Sequence, residues 1–164
     1  MNGVMNRPAS RDDVPGVMAP PPFLFIGFLL LGWGLDKGLG TPALPVDATV
    51  RKVIAVALIL GGLALEFWAA GLFKKAGTNV VPYQPATALV TEGPYRFTRN
   101  PMYVGFALTY LGLATGLNSP IAIGLLFPCV VLVTWGVILR EERYLERRFG
   151  QAYLDYKSRV RRWL

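Results

Sequence analysis

Near the C-terminus, two apolar stretches, residues 101–116 and 121–139, are separated only by Leu117-Asn118-Ser119-Pro120. A link this short obliges two helices to run antiparallel as a hairpin. The hairpin brings the chain back to the side it left. The polar segment before it, residues 93–103, and Arg140-Glu141-Glu142-Arg143 after it are therefore expected to be neighbours. Gly105, Gly112 and Gly116 in the first arm would let its backbone approach another helix closely.

Two further apolar blocks precede the hairpin. Residues 53–73 lie between Arg51-Lys52 and Lys74-Lys75 and are long enough to cross a bilayer, whereas residues 22–35 fall short of the roughly twenty that a full crossing takes. Hydrophobic residues make up 53% of the 164. The expected fold is all-α: a polytopic integral membrane protein with about four transmembrane helices, including the C-terminal hairpin, and a cytoplasmic helical tail. Residues 1–20 read as a flexible tail, with too long a charged region and no small-residue site for a cleaved signal peptide. Residues 21–75 carry the first two helices and residues 76–164 form the remaining core. The segment 36–48, with Gly38, Gly40, Pro42 and Pro45, is expected to be a loop, and 140–164 a helical tail with Leu145, Phe149, Tyr153 and Tyr156 on one side.

Lys and Arg outnumber Asp and Glu by 17 to 10, but the basic residues cluster between apolar blocks, which points to a membrane and not to nucleic acid. With four spans and both termini cytoplasmic, only Lys37, Arg51 and Lys52 lie outside, so the positive-inside rule selects this orientation, as in a bacterial inner membrane. The chain has no histidine and one cysteine, Cys129, in an apolar run. A His-based metal site, a Cys–His nucleophile pair and a histidine base are excluded, and no metal is expected.

The hairpin ends therefore bring Arg99, Asn100 and Tyr103 beside Glu141 and Glu142, with aromatic residues at a membrane boundary. Such a group suits an amphiphilic ligand carrying both charges, since arginine holds carboxylates bidentately and tyrosine rings face cations. The same residues also fit a plainer role. Arg96 and Arg99 would anchor the helix start, Tyr95, Phe97 and Tyr103 would form an interfacial aromatic belt, and Glu141-Glu142 would pair with nearby arginines on a solvated helix. Glu66, inside the second span, is either a ligand contact or one half of an interhelical hydrogen bond.

The stretch LVTEGPYRFTRNPMYVGFALTYLGLA, followed after a further span by EERYLERRFGQAYLDYKSRV, resembles the isoprenylcysteine carboxyl methyltransferases and their relatives, the phospholipid methyltransferases. Arg99-Asn100-Pro101-Met102-Tyr103, Glu141-Glu142, Leu145, Phe149-Gly150, Tyr153 and Tyr156 carry the likeness, and Asn100 stands where the prenylcysteine enzymes have histidine. The resemblance implies a membrane methyltransferase that uses S-adenosylmethionine, with a lipophilic or amphiphilic acceptor entering from the bilayer. It implies Tyr95, Arg99, Asn100, Pro101, Tyr103, Gly105, Glu141, Glu142, Tyr153 and Tyr156 as cofactor-binding residues, with Arg99 and Glu142 in catalytic roles. An NADPH-dependent reductase of the sterol reductase type and a non-enzymatic scaffold for anionic lipid are the competing classes.

Overall fold

The computed structural model describes residues 14–80 and 84–164. Most of the expected N-terminal tail, residues 1–13, lies outside them. Helix α1 spans Pro21–Leu39 and α2 Ala48–Lys75. A connector with a 3-10 turn at Gly93–Arg96 leads to α3, Pro101–Gly116. Helix α4, Pro120–Val133, passes through a π-helical turn, Thr134–Ile138, directly into α5, Leu139–Phe149, and α6 is Gln151–Arg159. Among the described residues no strands form, and α1, α2 and the continuous helix Pro120–Phe149 are long and apolar enough to cross a membrane. The fold is an all-α polytopic membrane bundle. Helix α3 has 16 residues and so reaches only about 24 Å, short of a hydrocarbon core.

Helix α1 runs four residues past the expected block, through Asp36, Lys37, Gly38 and Leu39. The reason is a tertiary bond. Asp36 is buried and its carboxylate accepts from the Ser119 hydroxyl, while the other oxygen lies 3.4 Å from the Ile121 N–H at the start of α4. A carboxylate at a helix N-terminus meets otherwise unpaired N–H groups, so this polar residue can stay helical and buried. Helix α2 begins where the Asp47 side chain accepts from Thr49 N at 2.8 Å and Val50 N at 3.1 Å.

Glycines set the contact between α2 and α3. A Cβ placed on Gly62 would lie 2.4 Å from Thr109 Oγ1 and 2.7 Å from the Gly105 carbonyl oxygen, and one on Gly105 would lie 2.5 Å from Glu66 Cγ. Within this seam Thr109 donates to Glu66 at 2.8 Å, so Glu66 is half of an interhelical hydrogen bond. Arg51 reaches the far end and donates to the carbonyls of Thr115 and Gly116 in the last turn of α3. On the other side Gly32 of α1 sits against Ala122 of α4, and Phe25, Leu29, Tyr110, Cys129 and Val133 fill the core.

The tail is not one helix. At Gly150 the backbone turns with φ 54° and ψ −128°, a conformation that favours glycine, and α6 folds back. Residues beyond α6 then run parallel to the connector, with Thr98 bridged to Arg161.

The glycine seam has a matched pair of tests on adjacent residues. Gly62→Ala should lower thermal stability in detergent, because overpacking a seam costs about 1–3 kcal/mol. Gly61 has open space around its Cβ position. Gly61→Ala should therefore leave the melting temperature unchanged or raise it, and equal losses in both variants would deny the seam.

Candidate functional site

The site grows from the way the chain leaves and re-enters the hairpin. Pro101 starts α3 without needing an N–H partner, which leaves Asn100 at the N-cap position. Its side chain does not cap the helix. Instead Asn100 Nδ2 donates to the Arg162 carbonyl at 2.9 Å, and Thr98 Oγ1 donates to the same oxygen at 3.0 Å. Arg99 N donates to the Arg161 carbonyl at 2.9 Å. The connector and the C-terminal residues are thus laced together by backbone geometry, and side chains from both point at the start of α5.

Glu142, buried on the first turn of α5, is the convergence point. Arg162 grips it with both prongs, Nε to Oε1 at 2.8 Å and Nη2 to Oε2 at 2.9 Å, while Arg99 Nη2 reaches Oε1 at 2.9 Å. The other Arg99 terminal nitrogen donates to the Lys157 carbonyl at 3.0 Å. Bidentate, charge-assisted pairing of this kind is both strong and directional. Next to it, Glu141 accepts from the Tyr103 hydroxyl at 2.8 and 2.9 Å. Glu142 is therefore occupied by two guanidiniums, whereas Glu141 has a neutral phenol against it. Hydrogen bonding to Glu142 holds the Arg162 guanidinium above its ordinary range.

Aromatic residues close the sides. Tyr95 is buried in the 3-10 turn, its ring 5.5 Å from Phe73, and its carbonyl accepts from the Tyr156 hydroxyl at 2.8 Å. Tyr153 and Tyr156 pack edge to face at 6.1 Å. Burial pushes the hydroxyls of Tyr95, Tyr153 and Tyr156 up, so all three stay protonated donors at neutral pH. Two buried polar atoms, Tyr95 Oη and Arg99 Nε, have no hydrogen-bond partner among the described residues. Such atoms are rare in folded proteins because each loses its hydration without compensation.

These groups enclose one cavity. Tyr95, Arg99, Asn100, Pro101, Tyr103, Glu141, Glu142, Tyr153 and Tyr156 all line it. Gly105 is not brought to it and faces Glu66 and Gly62 of α2. Met102 and Leu145 of the motifs, with Phe73, Leu89, Val90 and Tyr144, which the motifs do not single out, supply an apolar wall. The Tyr144 hydroxyl accepts from Ala86 N at 2.9 Å and Arg148 donates to the Ala86 carbonyl at 3.2 Å, which clips the connector over the cavity. Arg162 was also invisible in the motifs. Its signal is weak, an Arg-Arg-Trp run at the C-terminus whose meaning depends on the fold-back at Gly150.

A model of the phospholipid methyltransferase family matches residues 50–152. The chain is similar to the protein-S-isoprenylcysteine O-methyltransferase B of Arabidopsis thaliana, 40% identical over 73 residues that cover 44% of this chain and 36% of the relative. The protein-S-isoprenylcysteine O-methyltransferase of Schizosaccharomyces pombe is 40% identical over 76 residues, covering 44% and 30%. The chain thus spans about a third of the length of these relatives. An uncharacterized protein of Haemophilus influenzae is 38% identical over 64 residues, 38% of this chain and 100% of the relative.

Removing one member of a buried ion pair strands the other. The Arg99 and Glu142 side chains are 8% and 6% exposed, so Glu142→Ala should destabilise the folded protein by about 3–5 kcal/mol. The Glu146–Lys157 pair has side chains 31% and 36% exposed, and Glu146→Ala should cost less than about 1 kcal/mol. Thermal unfolding in detergent measures both, and similar losses would mean that Glu142 is not the keystone.

Proposed function

We propose that this chain, which belongs to the phospholipid methyltransferase family, is an integral membrane enzyme that transfers a methyl group from S-adenosylmethionine to a lipophilic or amphiphilic acceptor. The observation that carries this is the cavity beneath the laced connector and tail. It combines a guanidinium, a carboxylate next to a phenol, three protonated tyrosines and an unpartnered buried hydroxyl on Tyr95. These groups fit the donor molecule, which has a carboxylate, an ammonium, ribose hydroxyls and a flat base. The orphaned atoms Tyr95 Oη and Arg99 Nε are what a site built for a polar ligand leaves unsatisfied without it.

Bound in the cavity, S-adenosylmethionine supplies an electrophilic methyl group on a sulfonium sulfur. The protein's task is then alignment of donor and acceptor and exclusion of water. Arg99, fixed by its neighbour Pro101 at the start of α3, is the group for the donor's carboxylate. Its guanidinium spans Glu142 and the Lys157 carbonyl, so it holds one orientation. Glu142 keeps that orientation and ties down Arg162. Asn100 and Pro101 shape the rim, and Tyr153 and Tyr156 line the aromatic side. A carboxylate or thiolate acceptor arrives as a nucleophile. An amine acceptor must release a proton, and Glu141 is the acceptor for it because its neighbour Tyr103 is neutral where Glu142 faces two cations. The apolar wall of Phe73, Leu89 and Met102 gives a lipid chain a dry surface next to the reacting atoms.

The orientation follows from charge. Both termini, the 76–91 connector and the site are cytoplasmic, as in a bacterial inner membrane. Reporters fused after Leu164 and within residues 76–91 should both give cytoplasmic signals. A signal from the opposite side at either position would separate the site from the compartment that holds the donor.

Tyr95→Phe separates a ligand-waiting hydroxyl from a structural one. It should weaken S-adenosylhomocysteine binding, measured by calorimetry, about five- to tenfold, from the loss of a hydrogen bond of about 1–1.5 kcal/mol. Stability of the ligand-free protein should stay equal or rise, because an unsatisfied buried group is removed. Wild-type protein should also transfer radiolabelled methyl groups into a lipid extract. No methyl transfer, together with NADPH-dependent reduction of an enone or sterol, would replace this function with the reductase.

A further inference from the structure

A second hollow lies on the opposite face of α5, lined by Pro15, Gly16, Arg140, Arg143 and Arg147. The three arginines are spaced i, i+3 and i+7, so they stand on one helix face. The acids of α5 serve elsewhere. Glu142 is taken by Arg99 and Arg162, Glu146 by Lys157, and Glu141 accepts from Tyr103. Arg140 donates to the Gly16 carbonyl at 2.8 Å and Arg143 to the Leu139 carbonyl at 3.1 Å through Nε, so among the described residues each keeps further N–H groups for a ligand. The structure thus presents a concave, three-guanidinium surface, closed on one side by the backbone of Pro15 and Gly16.

Its depth points to one occupant. The apolar run of the last spanning helix ends at Leu139, and at 1.5 Å per residue Arg140 and Arg143 stand within about 6 Å of that point. The headgroup layer on each side of a hydrocarbon core is about 5–8 Å thick. The arginine face therefore stands at the level of lipid phosphates, and Arg147, one turn further out, can reach back to the same plane on its flexible stem. We propose that Arg140, Arg143 and Arg147 form a binding site for the phosphate of an anionic phospholipid in the cytoplasmic leaflet, with Pro15 and Gly16 as its wall. Planar guanidiniums hold phosphate oxygens bidentately, which a free surface lysine does not. Pro15 lines this hollow and also the cavity beneath the connector, so a lipid held here sits against the segment that borders the methyl-donor cavity. Met18 N donates to the Gly136 carbonyl at 3.1 Å, in the π-helical turn, and fixes that segment in place.

The test is retention of lipid by the full chain, purified from bilayers of equal phosphatidylglycerol and phosphatidylcholine and weighed by native mass spectrometry. Wild type should hold phosphatidylglycerol in preference. The triple variant Arg140→Gln, Arg143→Gln, Arg147→Gln should hold at least about tenfold less. A control that loses the same charge from exposed positions, Lys74→Gln, Lys75→Gln, Arg96→Gln, should behave as wild type. The triple lysine variant at the three arginines keeps the charge and removes the planar fork, so it should also lose retention, and a melting temperature equal to wild type in both triple variants excludes a folding defect. Millimolar inorganic phosphate should not displace the lipid. Equal retention in the glutamine variant would overturn the site and mean that acids of the chain, Asp12 and Asp13 among them, neutralise the cluster. Displacement by free phosphate would overturn the lipid as its source. The readout needs no methyl transfer, so it stands or falls separately from the enzyme activity.

Discussion

Everything around the cavity depends on one buried carboxylate. Glu142 leaves the membrane on the same continuous helix that spans it, and a charge in that position is tolerable only if it is paired and hydrogen-bonded. Arg99 and Arg162 come from opposite ends of the sequence's last 66 residues, one from the connector and one from the tail. By meeting at Glu142 they tie the start of the hairpin, the end of the hairpin and the C-terminus to a single point. Pairing of this kind adds less to net stability than it adds to uniqueness of arrangement, since desolvation offsets much of the attraction. The consequence is a fixed wall against which a polar ligand can be oriented.

The two halves of the bundle serve that wall differently. On the membrane side, Gly62, Gly105 and Gly112 let α2 and α3 touch backbone to backbone, which fixes where Asn100 and Arg99 emerge. On the far side, Asp36 against Ser119 and Arg51 against the end of α3 close the bundle with bonds that apolar packing alone does not provide. Among packed membrane helices such polar bonds are modest in energy but specific in register. The π-helical turn at Thr134–Ile138 then frees the Gly136 carbonyl for Met18 and hands α5 on at the angle that presents Glu141 and Glu142.

Much of this was legible in the sequence because it rests on chain connectivity. A four-residue link between apolar arms leaves no choice but a hairpin, and a hairpin leaves no choice but adjacency of Arg99 and Glu142. The family was legible for the same reason, through the order and spacing of Arg99-Asn100-Pro101, Glu141-Glu142 and Phe149-Gly150. What the sequence hid depends on tertiary partners. The extension of α1 to Leu39 needs Ser119 to take up Asp36. The break of the tail into two helices depends on a glycine torsion that helical spacing cannot reveal, and without that break Arg162 never returns to Glu142. Gly105 carried two expectations, a close helix approach and a cofactor contact, and it sits in the helix seam.

The two isoprenylcysteine O-methyltransferase relatives are longer than this chain, and the match to each covers 44% of it. The central claim is that this cavity is where the methyl donor binds. Hydrogen–deuterium exchange of the detergent-purified chain, with and without saturating S-adenosylhomocysteine, tests it most directly. The account predicts slowed exchange confined to residues 93–103 and 139–162, with α1 and the 40–47 loop unchanged. Unaltered exchange throughout, or protection on the far side of the bundle, would contradict it.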